Sequence, residues 1–187
     1  TDFMLIMGGN PAVSNGSIMT APDFSNRLKA IKKRGGHVIV VDPRFTETSK
    51  IATKHHFIKP GTDALLLLAL IHVIFSDNLA TKGHLKEHLN GWDTLQELVK
   101  NYAPEKVSEI IGIATEDITQ LAHQFAKSKT AVCYGRLGLS TQEFGGLCQW
   151  LVNVLNAVTG NLDAVGGALF TQPAIDIVAM SKMTGKI

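Results

Sequence analysis

Four short segments concentrate the residues able to hold a ligand: Gly8-Gly9-Asn10-Pro11, Asp42-Pro43-Arg44, Pro60-Gly61-Thr62-Asp63 and Gly135-Arg136-Leu137-Gly138. Gly8 and Gly9 carry no Cβ, so a ligand can approach their backbone closely, and Asn10 offers both an acceptor and donors. Asp42 ends an apolar run, a position suited to accepting hydrogen bonds from ribose hydroxyls. Arg44 can stack on a base or pair with a phosphate. A carboxylate at Asp63, aimed into a crevice, would accept two hydrogen bonds from the N1 and N2 edge of guanine and reject adenine. Gly135, Gly138, Thr141 and Gln142 make a glycine-rich turn before a helix-like run, a way to present backbone N–H groups to phosphate or a heterocycle. Each segment also has a plainer use. Gly8-Gly9 serves as a strand-ending turn, Arg44 as a partner of a surface carboxylate, and Thr62 and Asp63 as the start of a helix. G-x-G-x-x-G is absent, which disfavours a typical NAD fingerprint.

The elements around these segments are α/β in pattern. Residues 3–7 and 37–41 are apolar, the second run β-branched, and each stops at a turn signal. Between them Asp23 is placed to cap a helix over 23–33 with Phe24, Leu28 and Ile31 on one face, after loop-like residues 11–22. This β-α-β unit implies parallel pairing and a right-handed crossover. A short helix over 46–52, a third strand over 56–59 and an apolar helix over 63–75 capped by Thr62 follow. The pattern then predicts helices over 82–89, 92–102, 105–111 and 116–127. Pro104 suits the first turn of the third, and Gly112 and Thr115 punctuate before the fourth. A strand over 131–134, a long helix over 141–162 and weak strand character over 168–170 complete the reading. The expected architecture is a Rossmann-like parallel sheet with flanking helices and a helical insertion at about residues 79–128. It forms a single nucleotide-binding-like domain over 1–187 with a poorly structured tail, 171–187. The segments that carry chemistry then share the edge outside the carboxyl ends of the strands, where a phosphate-bearing, nucleotide-like ligand would bind.

The 187 residues suffice for one domain with a sizeable core. Hydrophobic residues make up 45% and charged residues 18%, a globular balance. A net charge of +2 is too small to point to nucleic acid. The one tight basic cluster, Lys32-Lys33-Arg34, sits where a helix should end and suits its dipole. Cys133 and Cys148 lack C-x-x-C spacing and read as buried thiols. The seven histidines show no metal-binding spacing, and adjacent His55 and His56 on a strand would point to opposite faces. The longest apolar run, 64–75, is interrupted by His72 and falls short of a bilayer span, so no membrane insertion by this segment is expected. No nucleophile–base pattern is visible. The chain shows binding chemistry without a catalytic centre or metal site of its own. It opens at Thr1-Asp2-Phe3 directly into a strand-like run, and both ends read as cut, so the expectation is a domain excised from a longer subunit.

The segments MGGNPAVSN, VIVVDPRFTETSKIA, IKPGTDALLLLALIHVI, YAPEKVSEIIGI, GRLGLSTQEFG and LVNVLNAVTGNLDAVGGALF occur in this order over nearly the whole chain. Together they resemble the molybdopterin oxidoreductase family, the group of formate dehydrogenase, periplasmic nitrate reductase and dimethyl sulfoxide reductase. The resemblance implies an internal cofactor-binding domain of a large catalytic subunit, holding the guanosine-diphosphate end of a molybdopterin guanine dinucleotide. By that resemblance Gly8, Gly9, Asn10, Pro11 and Ser14 line the phosphate and ribose side. Asp42, Pro43, Arg44 and Thr46 follow the second strand around the guanosine. Gly61, Thr62 and Asp63 contact the guanine, and Leu137, Gly138 and Thr141 reach toward the pterin. The chain departs from the family in its last segment, where many relatives have Gln in place of Thr141 and His in place of Gln142.

The resemblance further implies a bis form of the cofactor with molybdenum or tungsten in the parent enzyme. The iron–sulfur cluster and the metal-ligating side chain belong to parts preceding this segment. Expected partners are the remaining domains of the same catalytic subunit and an electron-transfer subunit. The parent would carry out two-electron redox chemistry, and the isolated chain is expected to be inactive. A stand-alone nucleotide-binding or regulatory module without redox activity, and a structural remnant whose loops no longer bind, are the competing readings.

Overall fold

A computed structural model describes residues 1–16, 21–170 and 174–185. Its frame is a four-stranded, wholly parallel sheet in the order β3-β2-β1-β4, made of β1 (Phe3–Met7), β2 (His37–Val41), β3 (Lys54–His56) and β4 (Ala131–Gly135). The first three strands step outward in one direction and β4 joins the other side of β1. The order therefore reverses between β1 and β4, which makes that junction the topological switch point where open α/β sheets receive ligands.

The helices are α1 (Pro11–Ser14), α2 (Phe24–Lys33), α3 (Glu47–Ile51), α4 (Asp63–Ser76), α5 (Trp92–Val99), α6 (Pro104–Ile111), α7 (Thr115–Lys127), α8 (Leu137–Ser140), α9 (Gly145–Val158) and α10 (Ile177–Met183). All five residues of β1 are buried, as a central strand covered on both faces requires. Side chains alternate across it. Phe3, Leu5 and Met7 enter one core with α4, α6, α7 and α9, while Met4 and Ile6 meet Phe24, Leu28 and Ile31 of α2 on the opposite face. Eleven of the fourteen residues of α4 are buried. A helix apolar all round must be enclosed, and α5, α6, α7 and α9 supply the enclosure. The polar break in it, His72, bonds through Nδ1 to the carbonyl of Val99 at 2.9 Å.

Strand β4 is a sheet edge, yet its backbone is satisfied from α9 and the residues after it. Asn156, 1% exposed, accepts from the Cys133 N–H at 2.8 Å and donates to the Cys133 carbonyl at 3.0 Å. The Asn161 Oδ1 accepts from the Ala131 N–H at 3.0 Å. Two asparagines thus do the work of a neighbouring strand.

Several boundaries differ from the sequence reading. The third strand is Lys54–His56 rather than 56–59. His55 and His56 still pair with Val40 and Val41, but at Phe57 the chain turns off the sheet, Ile58 is buried in the core, and the Lys59 N–H donates to the carbonyl of Ile111 at 2.9 Å. The predicted helix over 141–162 is shorter, Gly145–Val158, and a break separates it from the one-turn helix α8 that precedes residue 141. The break needs Gly145, because a Cβ there would stand 2.1 Å from the Ser140 carbonyl oxygen. Gly160, at φ +70°, follows the end of α9. The segment at 82–89 is a 3-10 turn, Gly83–His88, and not an α-helix. Asp23 lies at φ +56° and does not cap the backbone of α2; its carboxylate accepts from the Asn26 side chain at 3.0 Å. Pro11–Ser14 forms one helical turn where a loop is predicted, with Pro11 at its first position. The weak strand over 168–170 reduces to a bridge between Leu162 and Ala168. In the tail, Ile177–Met183 is helical with no buried residue, and 171–173 and 186–187 lie outside the described residues.

Candidate functional site

Each strand leads its loop to the same edge, and the loops are tied to one another there. Gly8 ends β1 at φ +57°, a conformation that favours glycine. The Gly138 N–H donates to its carbonyl at 3.0 Å, and a Cβ on either glycine would fall 2.7–2.9 Å from backbone atoms of the other loop. Gly9 faces Arg136, whose Cβ and Cγ would be 3.1 Å from any Cβ built on it. The loops after β1 and β4 therefore meet at the switch point, backbone against backbone at Gly8 and Gly138 and with the Arg136 stem against Gly9.

Asn10 reaches across to α3. Its Oδ1 accepts from the Thr48 N–H at 3.2 Å and from the Thr48 hydroxyl at 2.7 Å, and its Nδ2 donates to Glu47 at 2.7 Å. The Thr48 hydroxyl in turn accepts from the Ala12 N–H at 3.1 Å. Pro11 is buried at the first position of α1, and Ser14 is exposed at its last. The Asn10 bond, ahead of a backbone hydrogen bond, holds the Glu47 carboxyl below its ordinary range. Thr46, 1% exposed, closes a reciprocal capping box with Ser49 at the start of α3.

Asp42 follows β2 and folds back on its own loop, accepting from the Arg44 N–H at 2.8 Å. Its carbonyl meets His55 Nε2 at 3.1 Å. Pro43 is exposed, and Arg44 is exposed and 3.9 Å from Glu47. Gly61, exposed at φ +83°, turns the chain into α4. The Thr62 hydroxyl donates to the carbonyl of Lys59 at 2.7 Å and makes no side-chain cap.

Asp63, at the first position of α4, is 6% exposed. Burial pushes its carboxyl above the ordinary range, against the opposing pull of a hydrogen bond from Gln142. That bond, Gln142 Nε2 to Asp63 Oδ2 at 2.9 Å, joins the loop after β3 to the turn after α8. The same nitrogen donates to the Gly138 carbonyl at 3.2 Å. Gln142 Oε1 is buried without a partner among the described residues. Leu137, at the start of the one-turn helix α8, and Thr141, just past its end, are both exposed, and the Thr141 hydroxyl donates to the Leu137 carbonyl at 2.9 Å.

All four sequence segments are thus drawn into one network: Arg44 to Glu47, Glu47 to Asn10, Gly8 to Gly138, Gly138 to Gln142, and Gln142 to Asp63. Glu47 and Thr48 are the members that sequence reasoning passed over as part of a short helix. The sequence marks Gln142 as part of a glycine-rich turn and as a departure from the family pattern, and not as the partner of Asp63. A polar residue following a glycine turn, and a Thr inside a short helix next to an Asx-type loop, are the signals that point to them. Among the described residues no cluster of three or more metal-ligating side chains occurs. An apolar groove of about 420 Å³ between α5 and α9, lined by Trp92, Leu95, Leu98, Trp150 and Val154, contains none of these loop residues.

What the edge offers is exposed loop backbone at Gly61 and Gly138, a half-buried carboxylate at Asp42, an exposed guanidinium at Arg44, and a desolvated carboxylate at Asp63. Chemically, such a set can pair with a phosphate and accept hydrogen bonds from the N–H groups of a heterocycle.

A family model described as molybdopterin oxidoreductase matches residues 1–179. The chain is 38% identical over 141 residues, 74% of its length, to the protein called probable oxidoreductase YoaE of Bacillus subtilis, of which it covers 20%. It is 33% identical over 162 residues to formate dehydrogenase H of Escherichia coli, covering 87% of this chain and 22% of that protein. Among solved structures, acetylene hydratase from Pelobacter acetylenicus superposes with a TM-score of 0.74 at 30% identity, over 85% of this chain and 21% of the other. The chain therefore spans about a fifth of the length of the relatives it matches.

Proposed function

The chain belongs to the molybdopterin oxidoreductase family, and we propose that within such an enzyme it holds the guanosine-diphosphate end of a molybdopterin guanine dinucleotide. The observation that carries this reading is Asp63. It is a carboxylate desolvated at a helix start, beside the glycine loops of the switch point, as an acceptor pair for the N1–H and N2–H₂ edge of guanine would be. The residues present also fit the group, because the buried Gln142 Oε1, on the side chain bonded to Asp63, has no partner among the described residues and can accept from a ligand N–H.

In this account Gly8, Gly9 and Gly138 let the two loops close on each other and so shape the junction beside which the diphosphate lies. Asn10 holds that loop in shape through Thr48 and Glu47. Asp42 accepts from ribose hydroxyls, Arg44 pairs with a phosphate or stacks on the base, and Leu137 and Thr141 extend toward the pterin. When bound, the group supplies two-electron redox chemistry at molybdenum or tungsten. The chain's own residues contribute binding, orientation and exclusion of the wrong base. The relatives' names span formate dehydrogenase, nitrate reductase and acetylene hydratase. That spread supports a shared cofactor-holding role for this segment, with substrate choice placed elsewhere in the longer protein. The remaining domains of the same subunit and an electron-transfer subunit are the partners we propose. An iron–sulfur cluster is assigned to other parts of that protein, and the isolated chain is expected to show no turnover.

The test is amide chemical-shift mapping of the ¹⁵N-labelled chain with GDP. Shifts at Gly8, Gly9, Gly61, Asp63 and Gly138 are expected. Shifts confined to the Trp92–Trp150 groove, or none at all, would overturn the reading.

A further inference from the structure

Gln142 is engaged on one side and unsatisfied on the other. Its Nε2 donates to Asp63 Oδ2 and to the Gly138 carbonyl. Reversing the amide would set Oε1 against a carboxylate and a carbonyl, neither of which can donate, so chemistry fixes the orientation. Oε1 is thereby directed away from both, and it is buried with no partner among the described residues. Buried polar atoms are nearly always paired, and one that is not can take a donor from beyond the described residues, an ordered water or a ligand N–H. The only other such atom among the described side chains is His55 Nδ1, on a ring held between Phe45 and Phe57 and bonded by its second nitrogen to Asp42.

We propose that Gln142 is a specificity-determining residue of the crevice: its Oε1, locked in place by Asp63, is a second acceptor beside the carboxylate, and the two together read the 2-amino-lactam edge of a guanine nucleotide. This rests on the function proposed above. Guanine presents an N1–H and an exocyclic amine side by side. Hypoxanthine keeps N1–H and lacks the amine, and adenine offers no such donor pair. With the carboxylate taking N1–H, the exocyclic amine has hydrogens for both Asp63 and Gln142. A site built to bond a donor rejects the analogue that lacks it, because its own acceptor is then left unpaired. The tie to Asp63 also spans the loops after β3 and α8, so the acceptor pair exists only when both loops are in register.

The experiment is calorimetric titration of GDP and IDP into the 187-residue chain, as wild type, Gln142→Met, Gln142→Ser and Asp63→Asn, each first shown to melt cooperatively. The wild type is expected to prefer GDP over IDP by about tenfold. Both Gln142 variants are expected to cut that preference by at least about threefold, chiefly by weakening GDP, with the remainder held by Asp63. A preference for GDP undiminished in both Gln142 variants overturns the inference, and if Asp63→Asn still abolishes GDP binding the proposed function stands without it. Failure of the wild type to bind GDP overturns both.

Discussion

Gly8 and Gly138 lie backbone against backbone, with the Gly138 N–H on the Gly8 carbonyl at 3.0 Å and room for no side chain on either. The contact joins the loop that leaves the central strand to the loop that leaves its neighbour across the switch point. It is the geometric reason these two positions are glycine. A Cβ on Gly138 would sit 2.8 Å from the Gly8 Cα, and one on Gly8 would sit 2.7 Å from the Leu139 nitrogen.

Gly138→Ala is therefore expected to destabilise the fold by roughly 2–3 kcal/mol through forced separation of the two loops. Gly8→Ala should cost more, because its φ of +57° adds backbone strain to the clash. Urea denaturation of both variants measures this. Stabilities equal to wild type would mean that the loops do not meet.

The edge of β4 makes a second prediction. Asn156→Leu removes the partner of both the Cys133 N–H and the Cys133 carbonyl inside a buried environment. The expected loss is roughly 3 kcal/mol, the sum of two unpaired backbone groups. Asn156→Asp restores the acceptor but not the donor and should recover only part of it. Equal stability of the Leu variant and the wild type would show that the edge is satisfied by other means.

Asp63 gives a pH dependence with a defined sign. Burial raises its folded pKa above the unfolded value of about 3.9. The folded state then binds the proton more tightly, so the wild type loses stability as pH rises from the unfolded value through the folded one, and the loss persists above it. Asp63→Asn lacks this step. Urea melts at about pH 4 and about pH 7 should show the variant gaining on the wild type at the higher value. A variant that instead loses ground to the wild type between about pH 4 and about pH 7 would contradict a desolvated carboxylate.

Both thiols are enclosed. Burial pushes the Cys148 pKa up to about 11 and that of Cys133 higher still. In the native chain neither should react with a thiol reagent at about pH 8, and both should label once the chain is unfolded. Rapid native labelling of either would place it at an accessible surface.

Strands β1, β2 and β4 were legible because each is a short apolar run closed by Gly or Asp-Pro, and α4 because it is apolar over fourteen residues. β3 was shifted because periodicity weighs Phe57 and Ile58, whereas pairing at an edge is made by the backbone of Lys54, His55 and His56. The break before α9 was hidden because Gly145 is demanded by a close approach to Ser140, which no local pattern announces. The same holds for the side-chain ties. Asn10 to Thr48 and Asp63 to Gln142 join residues 38 and 79 apart in the chain, and only the fold brings them together. The glycines could be read as a place where something approaches closely. That they approach each other could not.

The most direct test of the central claim compares GDP with ADP by calorimetric titration into the wild-type chain and into Asp63→Asn. The account predicts GDP binding, ADP weaker by at least about tenfold, and loss of that preference in the variant. Equal binding of GDP and ADP by the wild type, or a preference that survives Asp63→Asn, would contradict it.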